Sequence, residues 1–281
     1  MKKFIAIISL VLIIAIFAVS LTGCGKDPFL TSAVWSDYEV LTYEIIEKEQ
    51  KIGEMQVTIE KLGAGQYKLK DSETNAFAVA SGTMVTKVAK DLDGKEILYS
   101  ASLAENFVPV ASYKKIDSKD KKIETRTRYS KSYYYYANNG GAEKRTKIKK
   151  NVLDNENLFE FIRCQELERS FNQVLTTVDA QTGATEKISI AVSGEGQLVK
   201  SFTYNDIDEN EKTVMKGAKV YNVVVGKSTE PKGKSIVLQY IYKDAFNPLV
   251  KGGINKTSYF PLVRIEENNL TYNLTSIKFG K

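Results

Sequence analysis

The chain has 281 residues, 43% of them hydrophobic and 26% charged, with 40 Lys+Arg against 34 Asp+Glu and no histidine. That much apolar material can bury a real core and excludes a disordered polypeptide, while a net charge of +6 spread along the chain is too small and diffuse for a nucleic-acid binder. Without histidine, the Ser-His-Asp and Cys-His mechanisms, the usual zinc sites and imidazole acid–base chemistry are all removed, so any catalysis falls to carboxylates, lysines or tyrosines.

Lys2 and Lys3 precede an apolar run from Phe4 to Leu21, which is followed by Thr22, Gly23 and Cys24. A basic start, a hydrophobic stretch and small residues before a cleavage point are the parts of a secretory signal. The run is also long enough to compete as a retained transmembrane helix, but Thr22 and Gly23 fit a peptidase and Cys24 offers a thiol for acylation. Leu21-Thr22-Gly23-Cys24 resembles the lipobox of bacterial lipoproteins. The resemblance implies a signal peptide over 1–23, a diacylglyceryl group with palmitate-like chains on Cys24, and a mature protein held on the extracytoplasmic side of the cell membrane. Each buried acyl methylene contributes about 0.8 kcal/mol, so two chains anchor stably. Loss of Lys2 and Lys3 with the leader lowers the net charge from +6 to +4, which suits a neighbouring anionic bilayer. Residues 24–36 read as a lipidated tether ending near Trp35, for which a core role is expected. With Cys24 acylated, no disulfide to Cys164 is expected.

From Tyr38 the apolar residues recur at every second position, as in Met55, Val57 and Ile59 against Gln56, Thr58 and Glu60. This is the pattern of a strand with one wet face. Further strands are predicted at Tyr67 and Leu69, Thr83 to Val88, Ile97 to Ala101, Val108 to Ile116, Ile123 to Tyr129, Tyr133 to Tyr136 and Ile148. Gly63-Ala64-Gly65, Asp93-Gly94 and Asn138-Asn139-Gly140-Gly141 mark the turns. A second group covers Val174 to Val178, Ile188 to Val192, Leu198 to Tyr204, Val220 to Val225, Ile236 to Tyr242, Tyr259 to Ile265 and Leu270 to Ile277. Turns are expected there at Thr182-Gly183, Ser193-Gly194-Glu195-Gly196, Pro231-Lys232-Gly233 and Gly252-Gly253.

Between the groups one helix is predicted near 154–168. Asp154 is placed as N-cap, Glu156 in the first turn, and Leu158, Phe159 and Ile162, with Phe161 or Cys164, form an apolar stripe that could cover a sheet or plug a barrel mouth. Short connections demand antiparallel neighbours. The fold expected over 37–281 is therefore a single mainly β domain: a large curved antiparallel sheet or partly closed β-barrel with one central α-helix.

Four segments carry a family resemblance: Leu41-Thr42-Tyr43-Glu44 with Gly53, Phe107-Val108-Pro109-Val110, Asp154 through Arg163, and Phe260-Pro261-Leu262-Val263-Arg264-Ile265-Glu266. In this order they are similar to the marks of the exported bacterial family called domain of unknown function 3108. The resemblance implies a curved sheet like that of the lipoprotein carriers, with no established activity and no catalytic residues to transfer. Read physically, Pro109 and Pro261 belong at strand edges or starts, and Arg163 and Arg264 pair with acids near the sheet rim.

Other motifs point to less. Gly226-Lys227-Ser228 and Gly233-Lys234-Ser235 imitate the end of a phosphate loop but lack its first glycine and its strand-to-helix turn. Asp206, Asp208 and Asn210 have calcium-loop spacing, but Glu211 and Gly217 stand at the two wrong places, so a solvated acidic turn is the reading and no metal or cofactor is expected. Lys114, Lys115, Lys119, Lys121 and Lys122, then Lys144, Arg145, Lys147, Lys149 and Lys150, read as solvent-facing strand edges that discourage aggregation; the alternative is a face towards anionic lipid. Tyr133, Tyr134, Tyr135 and Tyr136 put two rings on each side of a strand, which suits cross-strand packing or a contact surface for a ligand or partner. Cys164 reads as a small buried hydrophobe.

The function expected is that of a non-enzymatic, membrane-anchored extracytoplasmic lipoprotein. It binds a hydrophobic ligand or acts as an envelope interaction module. The alternatives are a carboxylate-dependent enzyme of the glycan hydrolase type, with two acids about 5–10 Å apart across a cleft, and a structural component of a surface assembly.

Overall fold

In the computed structural model of the protein, residues 33–70, 75–119, 121–148, 152–206, 213–227, 235–246 and 260–280 are described, and the alternating stretches become strands. The leader and Cys24 lie outside the described residues. The strands are β1 (Tyr38–Glu47), β2 (Gln50–Leu62), β3 (Gly65–Tyr67), β4 (Phe77–Val79), β5 (Gly82–Asp91), β6 (Glu96–Glu105), β7 (Val108–Asp117), β8 (Lys122–Tyr129), β9 (Tyr133–Asn138) and β10 (Lys144–Lys147). They continue as β11 (Val152–Asp154), β12 (Asn172–Val178), β13 (Thr185–Gln197), β14 (Phe202–Asp206), β15 (Thr213–Met215), β16 (Lys219–Lys227), β17 (Ile236–Ile241), β18 (Leu262–Glu267) and β19 (Leu270–Phe279). Two-residue hairpin turns at Lys48-Glu49 and Asn106-Phe107 have both residues at positive φ, the geometry that matches strand twist.

Seventeen of these strands form one sheet. Its ladder runs β10-β9-β8-β7-β6-β5-β2-β1-β19-β18-β17-β16-β13-β12-β11, with β14 beside the last residues of β19 and β15 beside β14. The sheet is mainly β and curled, as expected, but mixed instead of wholly antiparallel. β11–β12 and β14–β19 are parallel. Both exceptions have the long connections that parallel pairing requires: the central helix lies between β11 and β12, and most of the C-terminal third separates β14 from β19.

Several boundaries also differ from expectation: Leu69 and Ile148 lie outside strands, and the strand expected from Leu198 begins at Phe202. Ser193 to Gly196 makes no turn; it lies inside β13, where the register with β16 shifts between Val192 and Gly194. There the glycines mark a bulge. The helix is shorter than 154–168: a 3-10 turn at Asn155–Asn157 leads into α1 (Leu158–Arg163), and Asp154 caps the start by accepting from Glu156 N at 2.9 Å.

The two ends of the ladder meet through side chains, and no described backbone ladder joins them. Tyr136 and Tyr134 on β9 donate their hydroxyls to the carbonyls of Gln181 and Gly183, each at 2.6 Å, in the turn between β12 and β13. Thr125 on β8 donates to Ala180 O at 2.7 Å, and Tyr129 donates to Asp154 Oδ2 at 2.6 Å. Beneath these bonds Tyr134, Val152 and Val178 form a buried apolar cluster with Tyr129, Tyr136 and Ile148 against it. A second cluster lies on the other side of the wall, where the β3–β4 hairpin covers Leu62, Ala101, Leu103, Ala111 and Tyr113.

Candidate binding cavity

Strand register places one continuous row of residues on the inner face. Crossing from β8 to β5 it reads Thr127, Ser112, Ser102 and Val85, with Thr125, Lys114, Ser100 and Lys87 one pair further along. From β2 onward it becomes Met55, Val57 and Ile59, then Leu41 and Tyr43, and reaches Ile265, Leu238, Val223 and Val225. The interior is therefore polar along one arc and apolar along the other.

The segment Asn155–Arg163 fills part of this interior, and the wall holds it by hydrogen bonds. Lys114 Nζ lies 2.7 Å from Glu156 Oε1, Lys87 Nζ lies 3.6 Å from Glu156 Oε2 and donates to Glu156 O at 2.7 Å, and Ser100 donates to Glu156 Oε2 at 2.8 Å. Ser102 donates to Asn157 Oδ1 at 2.7 Å, and Tyr240 donates to Phe159 O at 2.9 Å. Arg163 reaches Glu39 at 2.8 Å, both fully buried, while Glu39 also accepts from Ser36 N. Phe161 stacks edge-on against Phe107, which stacks in turn against Trp35.

A cavity of about 340 Å³ remains between the plug and the wall, at the small end of the range for ligand pockets. Leu41, Val57, Leu158, Val225, Leu262 and Ile265 contribute apolar wall, and Lys227, Glu267 and Asn268 are the exposed members of the lining. Glu156 and Glu160 border it from the plug. Burial would raise the Glu156 carboxyl, but Lys114 and Lys87, with hydrogen bonds from Lys114 and Ser100, hold it down to about 2. Glu160 has no such set: burial raises its carboxyl above the ordinary range, and its Oε2 has no hydrogen-bond partner. A second cavity of about 210 Å³, lined by Trp35, Lys61, Phe107 and Asn157, shares Glu160 with the first.

Chemically the larger cavity can receive an apolar chain along its β1, β2, β16 and β18 wall while its opposite side presents charged and polar groups. A hydrolase of the paired-carboxylate kind needs acids on opposite sides of the scissile bond. Of the acids that line the cavity, Glu156 and Glu160 occupy one short segment, with Glu156 held by two lysines, and Asp179, Glu186 and Glu267 belong to the wall. Among the described residues no group of three His, Cys, Asp or Glu could hold a metal.

The residues singled out from the sequence fall in several places. Tyr134 and Tyr136 face the seam with their hydroxyls bonded, whereas Tyr133 and Tyr135 lie on the outer face under Arg145 and Arg128, at 4.7 and 3.6 Å from the guanidinium carbons. The tetrad is therefore divided between two surfaces. Lys114, read as a surface edge, points inward because it shares parity with Ser112, whereas Lys144, Arg145 and Lys147 are exposed. Arg163 pairs with an acid, but in the core and not at the rim; Arg264 bonds Glu266 at 2.7 Å. Gly226 and Lys227 end β16 at the cavity, and Lys227 pairs with Glu186 at 2.8 Å. Cys164 is buried, which pushes its thiol up to about 12. Asp208, Asn210, Ser228, Gly233, Lys234, Lys149 and Lys150 lie outside the described residues.

Sequence reasoning missed Lys87, Glu156 and Glu160 as cavity residues. The signals were a lysine on the same parity as Val85 and Ala89, and a glutamate between Phe159 and Phe161 in an otherwise apolar helix.

These features define a class: a curled β-sheet protein with a helical plug and an internal cavity. The model of the family described as protein of unknown function (DUF3108) matches residues 37–238, and the chain belongs to that family. Curated proteins give no match. Among solved structures, the β-barrel-like protein of domain of unknown function DUF1849 from Brucella abortus is similar, with a TM-score of 0.49 at 10% identity, over 87% of this chain and 98% of that one.

Proposed function

We propose that the protein is a non-enzymatic lipoprotein, anchored through a diacylglyceryl group on Cys24 on the extracytoplasmic side of the membrane, which holds a hydrophobic ligand inside its curled sheet. The observation that carries the reading is the 340 Å³ cavity, with apolar wall from β1, β2, β16 and β18 facing a charged side made by the plug and by Lys87, Lys114, Asp179 and Glu186 of the wall. An apolar ligand there gains from the area it removes from water, about 25 cal/mol per Å². The lipobox supports the anchor, because it would keep the cavity beside a source of lipid.

Fluorescence of N-phenylnaphthylamine tests the ligand reading. Delipidated full-length protein is expected to give saturable enhancement at one probe per chain, and cavity-filling Val225→Trp and Leu262→Trp to reduce it. Enhancement that never saturates, or that both variants leave unchanged, would remove the ligand and leave an envelope interaction role. Palmitate labelling tests the anchor separately: label is expected on the wild type and not on Cys24→Ala.

A further inference from the structure

Two polar atoms of the plug, Asn157 Nδ2 and Glu160 Oε2, are buried with no hydrogen-bond partner. They stand three residues apart where the 3-10 turn runs into α1, a spacing that places them on one face. Both residues line the smaller cavity, and Glu160 lines the larger one as well. Leaving a buried polar atom unpaired costs about 1–3 kcal/mol, more for a charged group. Two other carboxylates of the same interior avoid that cost: Glu156 has two lysines and a serine, and Glu39 has Arg163. Thr127 Oγ1 on the inner face also has no partner but lines neither cavity, whereas Asn157 and Glu160 lie where the two adjoin.

The two groups are complementary to one kind of ligand. Ser102 already donates to the amide oxygen of Asn157, so Nδ2 remains as a donor, while Glu160 Oε2, once the carboxyl is ionised, remains as an acceptor. A hydrocarbon end would satisfy neither. A carboxylate would repel the ionised Glu160, and an ammonium would leave the Asn157 donor unmet. An uncharged group with a donor and an acceptor on the same or adjacent atoms meets both.

We infer that Glu160 and Asn157 form a head-group site for an amphiphile with an uncharged hydroxyl or primary carboxamide head, its chain lying against the apolar wall of the larger cavity. This rests on the ligand reading above and assigns the polar end of that ligand. Glu160 is the principal discriminator, since it borders both spaces.

The test is native mass spectrometry, at alkaline pH so that Glu160 is ionised, of delipidated full-length protein released from detergent micelles and offered equimolar dodecan-1-ol, dodecanamide, dodecyl methyl ether and dodecanoate. The alcohol and the amide are expected to be retained at least about tenfold over the ether, which lacks the donor, and over the anion. Glu160→Leu is expected to shrink the alcohol-to-ether preference to about twofold or less while the ether still binds. Should Glu160→Leu not fold, the wild-type ranking decides alone. Equal retention of all four compounds overturns the head-group site and leaves the cavity reading standing, whereas retention of none overturns both. An unchanged preference in Glu160→Leu also overturns the assignment.

Discussion

The ring of Tyr136 lies over Gly183 so closely that a Cβ on the glycine would stand 2.4 Å from the ring's Cγ. The same tyrosine donates to Gln181 O, and Tyr134 donates to Gly183 O, so one turn receives both inward rings of β9. Gly183 also has φ +67, which side chains resist. The contact is what draws the ends of the ladder together.

Gly183→Ala is therefore expected to cost about 1–3 kcal/mol by overpacking and backbone strain. Hydrogen exchange provides the local check: amides of β9 and of the turn after β12 should exchange faster, with β1 and β2 unchanged. Equal acceleration throughout would show that the seam does not open independently.

Gly53 carries a second close approach, between β2 and β5. A Cβ there would stand 2.2 Å from Lys90 O, so the ladder itself must move to admit one. Gly53→Ala is expected to destabilise by about 1–3 kcal/mol in urea titrations, and a midpoint equal to wild type would show that the strands separate without strain.

The Glu39–Arg163 pair ties β1 to the plug in the core. Removing one partner strands a buried charge, so Glu39→Gln should cost about 3–5 kcal/mol, whereas replacing both residues by Met should recover most of that loss. A double-mutant cycle measures it; simple additivity of the two single replacements would show that the pair is not coupled.

Glu156 makes the stability depend on acid. Its carboxyl is held at about 2 in the folded protein against an ordinary 4.5, so its contribution is complete above 4.5 and is lost as pH falls from there towards about 2. At about 1.4 kcal/mol per pKa unit, the contribution is roughly 3 kcal/mol. Asp154 and Glu160 act oppositely, since burial raises both and the folded state favours them protonated. The measurable quantity is the stability gap between wild type and Glu156→Gln, expected to narrow across that window. A gap independent of pH would mean the carboxylate is not what the lysines hold.

Much of the fold was legible because period-two alternation is a local property. Tyr38, Gly82, Val108 and Ile236 begin strands close to where the pattern places them, and Asp154 caps the helix start as its chemistry predicts. The Gly194-Gly196 bulge was not legible, since glycine marks turns and bulges alike. The cavity residues were hidden for a different reason. Ser100, Ser102, Thr125 and Lys114 are the polar members of alternating strands, and by local pattern they belong on a wet face.

What the amino-acid order determined by itself was the strand content, most turn positions and one capped helix, all set by contacts within a few residues. Only the tertiary structure decided which side of the sheet became the inside. Once the ladder curls and Tyr134 and Tyr136 reach the β12–β13 turn, the polar arc of β5–β8 is enclosed and the segment Asn155–Arg163 must supply its partners. Burial depends on that closure, between residues far apart in sequence, and no local periodicity encodes it.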